Sequence, residues 1–199
     1  MLKQKLKVLV ENYYVIVTKM KRYYETKIEI PEGCNISIEN FLIKVTGPKG
    51  EVFRTVKNKL LHSEIVDNKV ILFAIDSTKR HKKIILTFVA HVKNLFKGVT
   101  EGHIYKLKIC SGHFPISVAV KGDIVEVKNF IGEAKPRLLK LKPNVTVKIN
   151  APEIVVEGIN KELTSQTAAS IEQMTRRPGF DKRIFQDGIY ITEKDGKKI

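Results

Sequence analysis

The chain has 199 residues, a net charge of +15 from 36 Lys and Arg against 21 Asp and Glu, and a hydrophobic share of 43%. That share supports a folded core. The charge is not confined to a disordered tail, because residues 1–100 carry 19 basic against 9 acidic side chains and residues 101–199 carry 17 against 12. Two cysteines, Cys34 and Cys110, exclude a disulfide framework, and no apolar run nears the ~20 residues of a membrane span. Such a charge excess favours a polyanionic partner, nucleic acid first and an acidic membrane surface second.

Residues 1–23 form an N-terminal extension. Leu2, Leu6, Leu9, Tyr13, Ile16 and Met20 lie alternately four and three apart, a heptad stripe that predicts an amphipathic helix, with a Val15-Ile16-Val17 strand as the competitor. A short basic cluster, Lys19, Lys21 and Arg22, closes the segment. Alternation then predicts strands at 36–41, 42–47 and 51–56, with Gly47-Pro48-Lys49-Gly50 as a hairpin turn. That turn is not a phosphate-binding loop, since the Lys-Ser/Thr pair and the following helix are missing. Val70–Ala74 reads as an apolar strand. Ile85, Phe88, Val89, Val92, Leu95, Phe96 and Val99 recur at helical spacing and predict a helix over 78–97. Ser77 or Thr78 can cap it and Gly98 can end it.

A junction near Gly98–Gly102 divides the chain into domains at 24–98 and 99–199. In the second half strands are predicted at 103–110, 116–120, 125–130, 137–142, 145–149 and 154–156. A polar helix follows at 161–175, with Asn160 as its cap, Glu162 in its first turn, and Leu163, Thr167, Ala168, Ile171 and Met174 as its apolar stripe. Ile36–Phe41 and Val125–Phe130 share one pattern, each an alternating strand ending in Asn-Phe, and each precedes a second strand and a helix. The predicted fold is α+β: two tandem copies of a small antiparallel sheet with one packed helix.

Basic clusters carry the chemistry. Lys79, Arg80, Lys82 and Lys83 crowd a helix start in a stretch, Ser77 to Thr100, without an acid. Each such charge opposes the helix dipole by roughly 0.3–1 kcal/mol, which points to a phosphate partner. Lys135, Arg137, Lys140, Lys142 and Lys148 fall between Glu133 and Glu153 with no acid among them. On that strand Arg137, Leu139 and Leu141 share one parity and Lys140 and Lys142 the other, so leucines are buried and lysines presented. Arg176, Arg177, Lys182 and Arg183 surround Pro178-Gly179, a loop suited to bidentate phosphate contact. Catalytic parts are lacking: the histidines scatter, and no carboxylate pair or nucleophile elbow is visible. Cys110 and His113 stand in C-x-x-H spacing without a second ligand pair, so no metal and no cofactor is expected.

The C-terminal stretch Arg183-Ile-Phe-Gln-Asp-Gly-Ile-Tyr-Ile191, with Lys194 beyond, adds a specific signal. Phe185, Ile189 and Ile191 share one parity as on a strand, and Asp187-Gly188 reads as a turn or bulge. The stretch resembles the signature of the eukaryotic and archaeal branch of the large-subunit ribosomal protein six family. Ile30-Pro-Glu-Gly33, His91–Lys106, His113–Ile116, Glu126–Glu133 and Glu162–Ala169 resemble further blocks of that family. The resemblance implies two copies of one fold and a structural, non-catalytic protein of the cytoplasmic ribosome. The partners it implies are large-subunit rRNA and neighbouring ribosomal proteins, beside the sarcin–ricin loop where translational GTPases dock. Family members begin a few residues before the Ile-Pro-Glu motif, so residues 1–19 are either an extension or an upstream misread start. Two alternatives stay open on sequence: an RNA-processing enzyme or its basic subunit, and a basic peripheral membrane protein.

Overall fold

Strand alternation and helical period place the elements, and hydrogen bonding decides their order. The structure, a computed structural model, describes residues 24–39, 42–55, 62–66, 68–74, 78–181 and 183–199. The N-terminal helix and basic cluster, Asn40-Phe41, Ser77 and Lys182 lie outside the described residues. The chain divides into two compact units, Met1–Phe96 and Lys97–Ile199.

The first unit holds strands β1 (Tyr24–Glu29), β2 (Asn35–Glu39), β3 (Leu42–Gly47), β4 (Gly50–Thr55), β5 (His62–Val66) and β6 (Lys69–Ala74). Helix α1 (Lys79–Thr100) follows, its last residues belonging to the second unit. Two three-stranded antiparallel sheets form, in the orders β1-β6-β5 and β2-β3-β4. Central β6 buries every residue from Val70 to Ala74, which explains its continuous apolar run. Gly47 pairs with Gly50, so Pro48-Lys49 is the tight turn read from the sequence. Thr78 caps α1: its Oγ1 accepts from the His81 N–H at 3.4 Å. The helical stripe is buried at Ile85, Val89, Val92, Leu95, Phe96 and Val99.

The second unit repeats the order. It runs β7 (His103–Cys110), β8 (Ser117–Lys121), β9 (Ile124–Lys128), a 3-10 turn (Phe130–Gly132), β10 (Arg137–Lys140), β11 (Val145–Asn150), β12 (Glu153–Gly158) and α2 (Lys161–Met174). Two further strands, β13 (Gly188–Lys194) and β14 (Lys197–Lys198), end the chain. The sheets are β10-β9-β8 and β11-β12-β7-β13-β14, again antiparallel throughout. Strand for strand, β7-β12-β11 matches β1-β6-β5 and β8-β9-β10 matches β2-β3-β4. The fold is therefore α+β and duplicated. Both sheets and α2 of the second unit share one core, in which Leu107, Val125, Ile154, Val156, Ala168 and Ile171 are fully buried. Each such side chain of Leu or Ile size contributes roughly 1.5–3 kcal/mol. Asn160 caps α2 as expected, its Oδ1 accepting from Glu162 N–H at 2.9 Å and Leu163 N–H at 3.4 Å.

Three expectations change. The repeat seen in Ile36–Phe41 and Val125–Phe130 pairs the wrong strands: β2 is the edge of its sheet and β9 the centre of its own, so β2 corresponds to β8 and β3 to β9. Alternation has the same period at an edge and at a centre, so the pattern alone could not tell them apart. The sequence also missed β1 and β5, whose mixed polarity hides their alternation. Finally, Gly98 does not end α1, which runs on to Thr100 and is closed by Gly102 (φ 82), whose N–H returns to Lys97 O at 3.0 Å. Gly98 serves a different need: a Cβ there would collide with the carbonyl oxygen of Ile159. The expected result for Gly98→Ala is a loss of about 1–3 kcal/mol from overpacking, read by urea denaturation; unchanged stability would show that the Ile159 turn moves freely aside.

Candidate nucleic-acid interface

Between Met174 and Gly188 the described residues form no helix or strand, and this segment carries the arginine loop. It is held first by Arg137 on β10. The guanidinium Nε and Nη2 donate to both oxygens of Glu133 at 2.7 and 2.6 Å, and Nη1 donates to the carbonyls of Met174 and Arg176 at 2.5 and 3.2 Å. These bonds use all but one donor of the fork. The guanidinium also lies 4.4 Å from the centre of the buried Phe130 ring. Hydrogen bonding to Arg137 holds the Glu133 carboxyl below its usual range, against the opposing effect of burial. The sequence places Arg137 among the phosphate-binding cations; the structure makes it an internal tie. The signal for this role is the spacing of four between Glu133 and Arg137, which in the sequence alone marks only the edge of an acid-free stretch.

A ladder of charged and aromatic groups continues from there. Arg177 donates to Glu133 at 3.3 Å and sits 4.6 Å over the Phe180 ring. Phe180 meets Phe185 edge-on at 4.9 Å, and Phe185 lies 4.9 Å from the His113 ring. His113 Nδ1 is 2.6 Å from Asp187 Oδ2, and Asp187 Oδ1 accepts from the Gly112 and His113 N–H groups at 2.6 and 3.0 Å. His113 thus faces a carboxylate. Burial alone would raise the Asp187 pKa, but the bonds from His113 and Gly112 prevail and lower it to about 2.

The signature turn is displaced. Asp187 is buried, Gly188 opens β13 opposite Cys110, and the chain turns earlier, where the Ile184 and Phe185 N–H groups return to Asp181 O. Phe185 consequently precedes the strand. The bulge in β13 falls between Ile191 and Glu193. Beside it α2 and its C-terminal cap supply side-chain acceptors: Thr175 Oγ1 takes the Ile189 N–H at 2.9 Å and Glu172 Oε1 takes the Ile191 N–H at 3.1 Å.

The remaining cations divide into two sets. Lys79, Arg80, Lys83, Lys135, Lys140, Lys142 and Arg176 are exposed, and among the described residues their side chains have no partner. Lys140 and Lys142 point outward while Leu139 and Leu141 pack on the core, as parity predicted. Lys82 is exposed but lies 5.1 Å over the Tyr24 ring. Lys148 is engaged by Glu157 at 2.9 Å. Arg183 grips Asp181 with both carboxylate oxygens in reach, yet its side chain is 90% exposed. His91 packs edge-on to Phe88, a structural role. Among the described residues no group of His, Cys, Asp and Glu gathers as a metal site, and no helix is long and apolar enough to cross a membrane.

The architecture defines a tandem α+β duplication that displays unpaired cations on a helix start, a strand and a loop. A family model described as Ribosomal protein L6 matches twice, over residues 30–102 and 114–188, so that β2 through α1 and β8 through α2 answer to the same pattern. The chain is 46% identical over 167 residues to the large ribosomal subunit protein uL6 of Methanosarcina mazei, covering 84% of this chain and 95% of that protein. It is 42% identical over 173 residues to the uL6 of Ignicoccus hospitalis, covering 84% and 93%. It is 40% identical over 186 residues to that of Archaeoglobus fulgidus, covering 91% and 95%. The chain belongs to the ribosomal protein L6 family, and so stands among ribosomal proteins rather than enzymes.

The ladder sets two expected outcomes. Arg137→Ala should cost about 2 kcal/mol of stability, because it strips Glu133 and two carbonyls of a charged donor, whereas Arg183→Ala should leave the urea midpoint unchanged. Equal midpoints for both variants would contradict the assignment of Arg137. For Asp187 the folded pKa of about 2 lies below the ordinary 3.8. Its contribution, on the order of 2 kcal/mol, is complete above about pH 4 and is lost as pH falls through about 2. Asp187→Asn should therefore flatten the acid limb of a stability-versus-pH curve, and an unaltered limb would show that another group sets it.

Proposed function

We propose that the chain is a structural constituent of the large ribosomal subunit and binds rRNA through lysine and arginine contacts to phosphate. The single observation that carries this reading is the set of exposed, unpartnered cations on a member of the ribosomal protein L6 family. Lys79, Arg80, Lys82 and Lys83 add charge to a helix start that has no acid in its first turn. In the second unit Lys135, Lys140 and Lys142 lie on and around β10 and Arg176 follows α2, with Arg177, Lys182 and Arg183 after it in sequence. Each neutralised phosphate releases counterions, so affinity falls steeply with salt. Recognition by groups of this kind follows RNA shape and backbone rather than base edges. Within the subunit we place the protein beside the sarcin–ricin loop, among neighbouring ribosomal proteins and near the docking site of translational GTPases, on the strength of the signature around Asp187 and Gly188. The proposed domains are 24–98 and 99–199, after an N-terminal extension at 1–23.

The test is the salt dependence of binding to large-subunit rRNA from the same organism. Lys140→Ala, Lys142→Ala and Arg176→Ala combined should weaken binding and reduce the slope of log K against log salt by roughly one for each phosphate no longer neutralised. The four substitutions Lys79→Ala, Arg80→Ala, Lys82→Ala and Lys83→Ala should do likewise. Unchanged slopes in both variants would overturn the phosphate-binding mechanism.

A further inference from the structure

We propose that a cleft between the end of α2 and the start of β13 receives a single unpaired nucleobase of the rRNA, one bearing an exocyclic amino group. This rests on the rRNA-binding reading and adds base recognition to it. The cleft has a volume of about 230 Å3 and is lined by Ile131, Glu172, Arg176, Phe180, Phe185 and Tyr190, among others. That exceeds the ~150 Å3 cavity that accepts benzene and falls short of the ~300 Å3 at which drug-sized ligands begin to fit. One ring system fits; a whole nucleotide does not.

Chemistry selects the occupant. Phe180, Phe185 and Tyr190 offer aromatic surface, on which every base stacks. Tyr190 is 40% exposed although it is a large hydrophobic side chain on a sheet. Its ring lies over Gly188, where a Cβ would come within 3.3 Å of the phenol oxygen. Gly188 thus leaves room for that wall. Ile131 forms another wall in a left-handed conformation (φ 48, ψ 41), which is costly for a β-branched residue and is the kind of strain found at binding sites.

Two carboxylates, Glu172 and Asp187, line the cleft together with Arg176 and Arg177, and Arg177 is already engaged by Glu133 and the Phe180 ring. Asp187 is fully committed to Gly112 and His113, but Glu172 spends only Oε1, on the Ile191 N–H. Glu172 Oε2 remains as an acceptor for an amino group of adenine, cytosine or guanine, which uracil lacks. Arg176, exposed and unpartnered among the described residues, stands on the lining for the phosphate outside. An aromatic interior with one open carboxylate acceptor, beside an unpartnered guanidinium, suits a base whose backbone stays outside.

The experiment probes the full chain on large-subunit rRNA from its own organism with dimethyl sulfate and kethoxal, which together read the pairing edges of adenine, cytosine and guanine. Wild type should protect one such unpaired base. Tyr190→Ala should return that base to its free reactivity and weaken binding roughly ten-fold, the cost of removing one stacking partner, with the salt slope unchanged. Glu172→Gln keeps the fold's bond to Ile191 and the aromatic walls, and should also restore reactivity. If rRNA binds with its normal salt slope but no base depends on Tyr190 or Glu172, the proposal is overturned while phosphate binding stands. That would also be the outcome if a side chain of a neighbouring protein fills the cleft. If wild type fails to bind the rRNA at all, both readings fall.

Discussion

The fork of Arg137 is the interaction on which the functional end of the molecule depends. The chain between α2 and β13 has no sheet or helix to satisfy its backbone, so its carbonyls must find other donors. Arg137 reaches Met174 O and Arg176 O with one nitrogen while Glu133 holds the rest of the guanidinium in plane. A lysine could not do this, because a point charge cannot serve a bidentate carboxylate and two carbonyls in fixed directions. Asp187 performs the complementary task at the other end of the segment by accepting from the 112–113 loop. Between the two ties, packed aromatic rings and a second arginine fill the space that regular structure leaves open.

Duplication supplies the frame and asymmetry supplies the site. In the first unit β1 pairs with β6 alone, among the described residues. Its counterpart β7 is paired on both sides, by β12 and by β13. The added hairpin β13-β14 brings its turn residue Asp195 to Lys97, to the buried His103 and to Lys161 at 3.0, 3.2 and 3.5 Å. Burial would raise the Asp195 pKa, yet bonding to Lys97 and His103 holds it below its usual range. This cluster fastens the end of α1 and the start of α2 to the sheet. Among the described residues β13 has no counterpart in the first unit, and the cleft lies at its start.

A high net charge does not make every cation a binding group. Acids on the sheets are answered by neighbours: Lys44 by Glu51 at 2.7 Å, Lys106 by Glu193 at 2.9 Å, and Glu126 by Lys121 at 2.7 Å. Cross-strand and diagonal pairs of this sort place opposite charges on one face of the sheet. Among the described residues, cations without such a partner include those at the start of α1, on the outward side of the 140–142 stretch and at the head of the arginine loop. Those are places where mutual repulsion would be costly without an external anion.

The sequence by itself determined the fold class, the two helices, the Asn160 cap, the Gly47–Gly50 turn and the outward Lys140 and Lys142. Each follows from period, parity or a local cap, which neighbours in the chain can specify. It also carried the family signature. Tertiary structure alone decided which strands of the two halves correspond, since hydrogen-bonded order has no trace in alternation. It likewise decided that Gly98 is a point of close approach, that Asp187 is a buried acceptor instead of a turn residue, and that Arg137 faces inward. Those four facts depend on partners far along the chain or across a sheet: β8, Ile159, His113 and Met174. A basic residue looks the same in sequence whether its donors meet a phosphate or a carbonyl, and only the fold brings the carbonyl within reach.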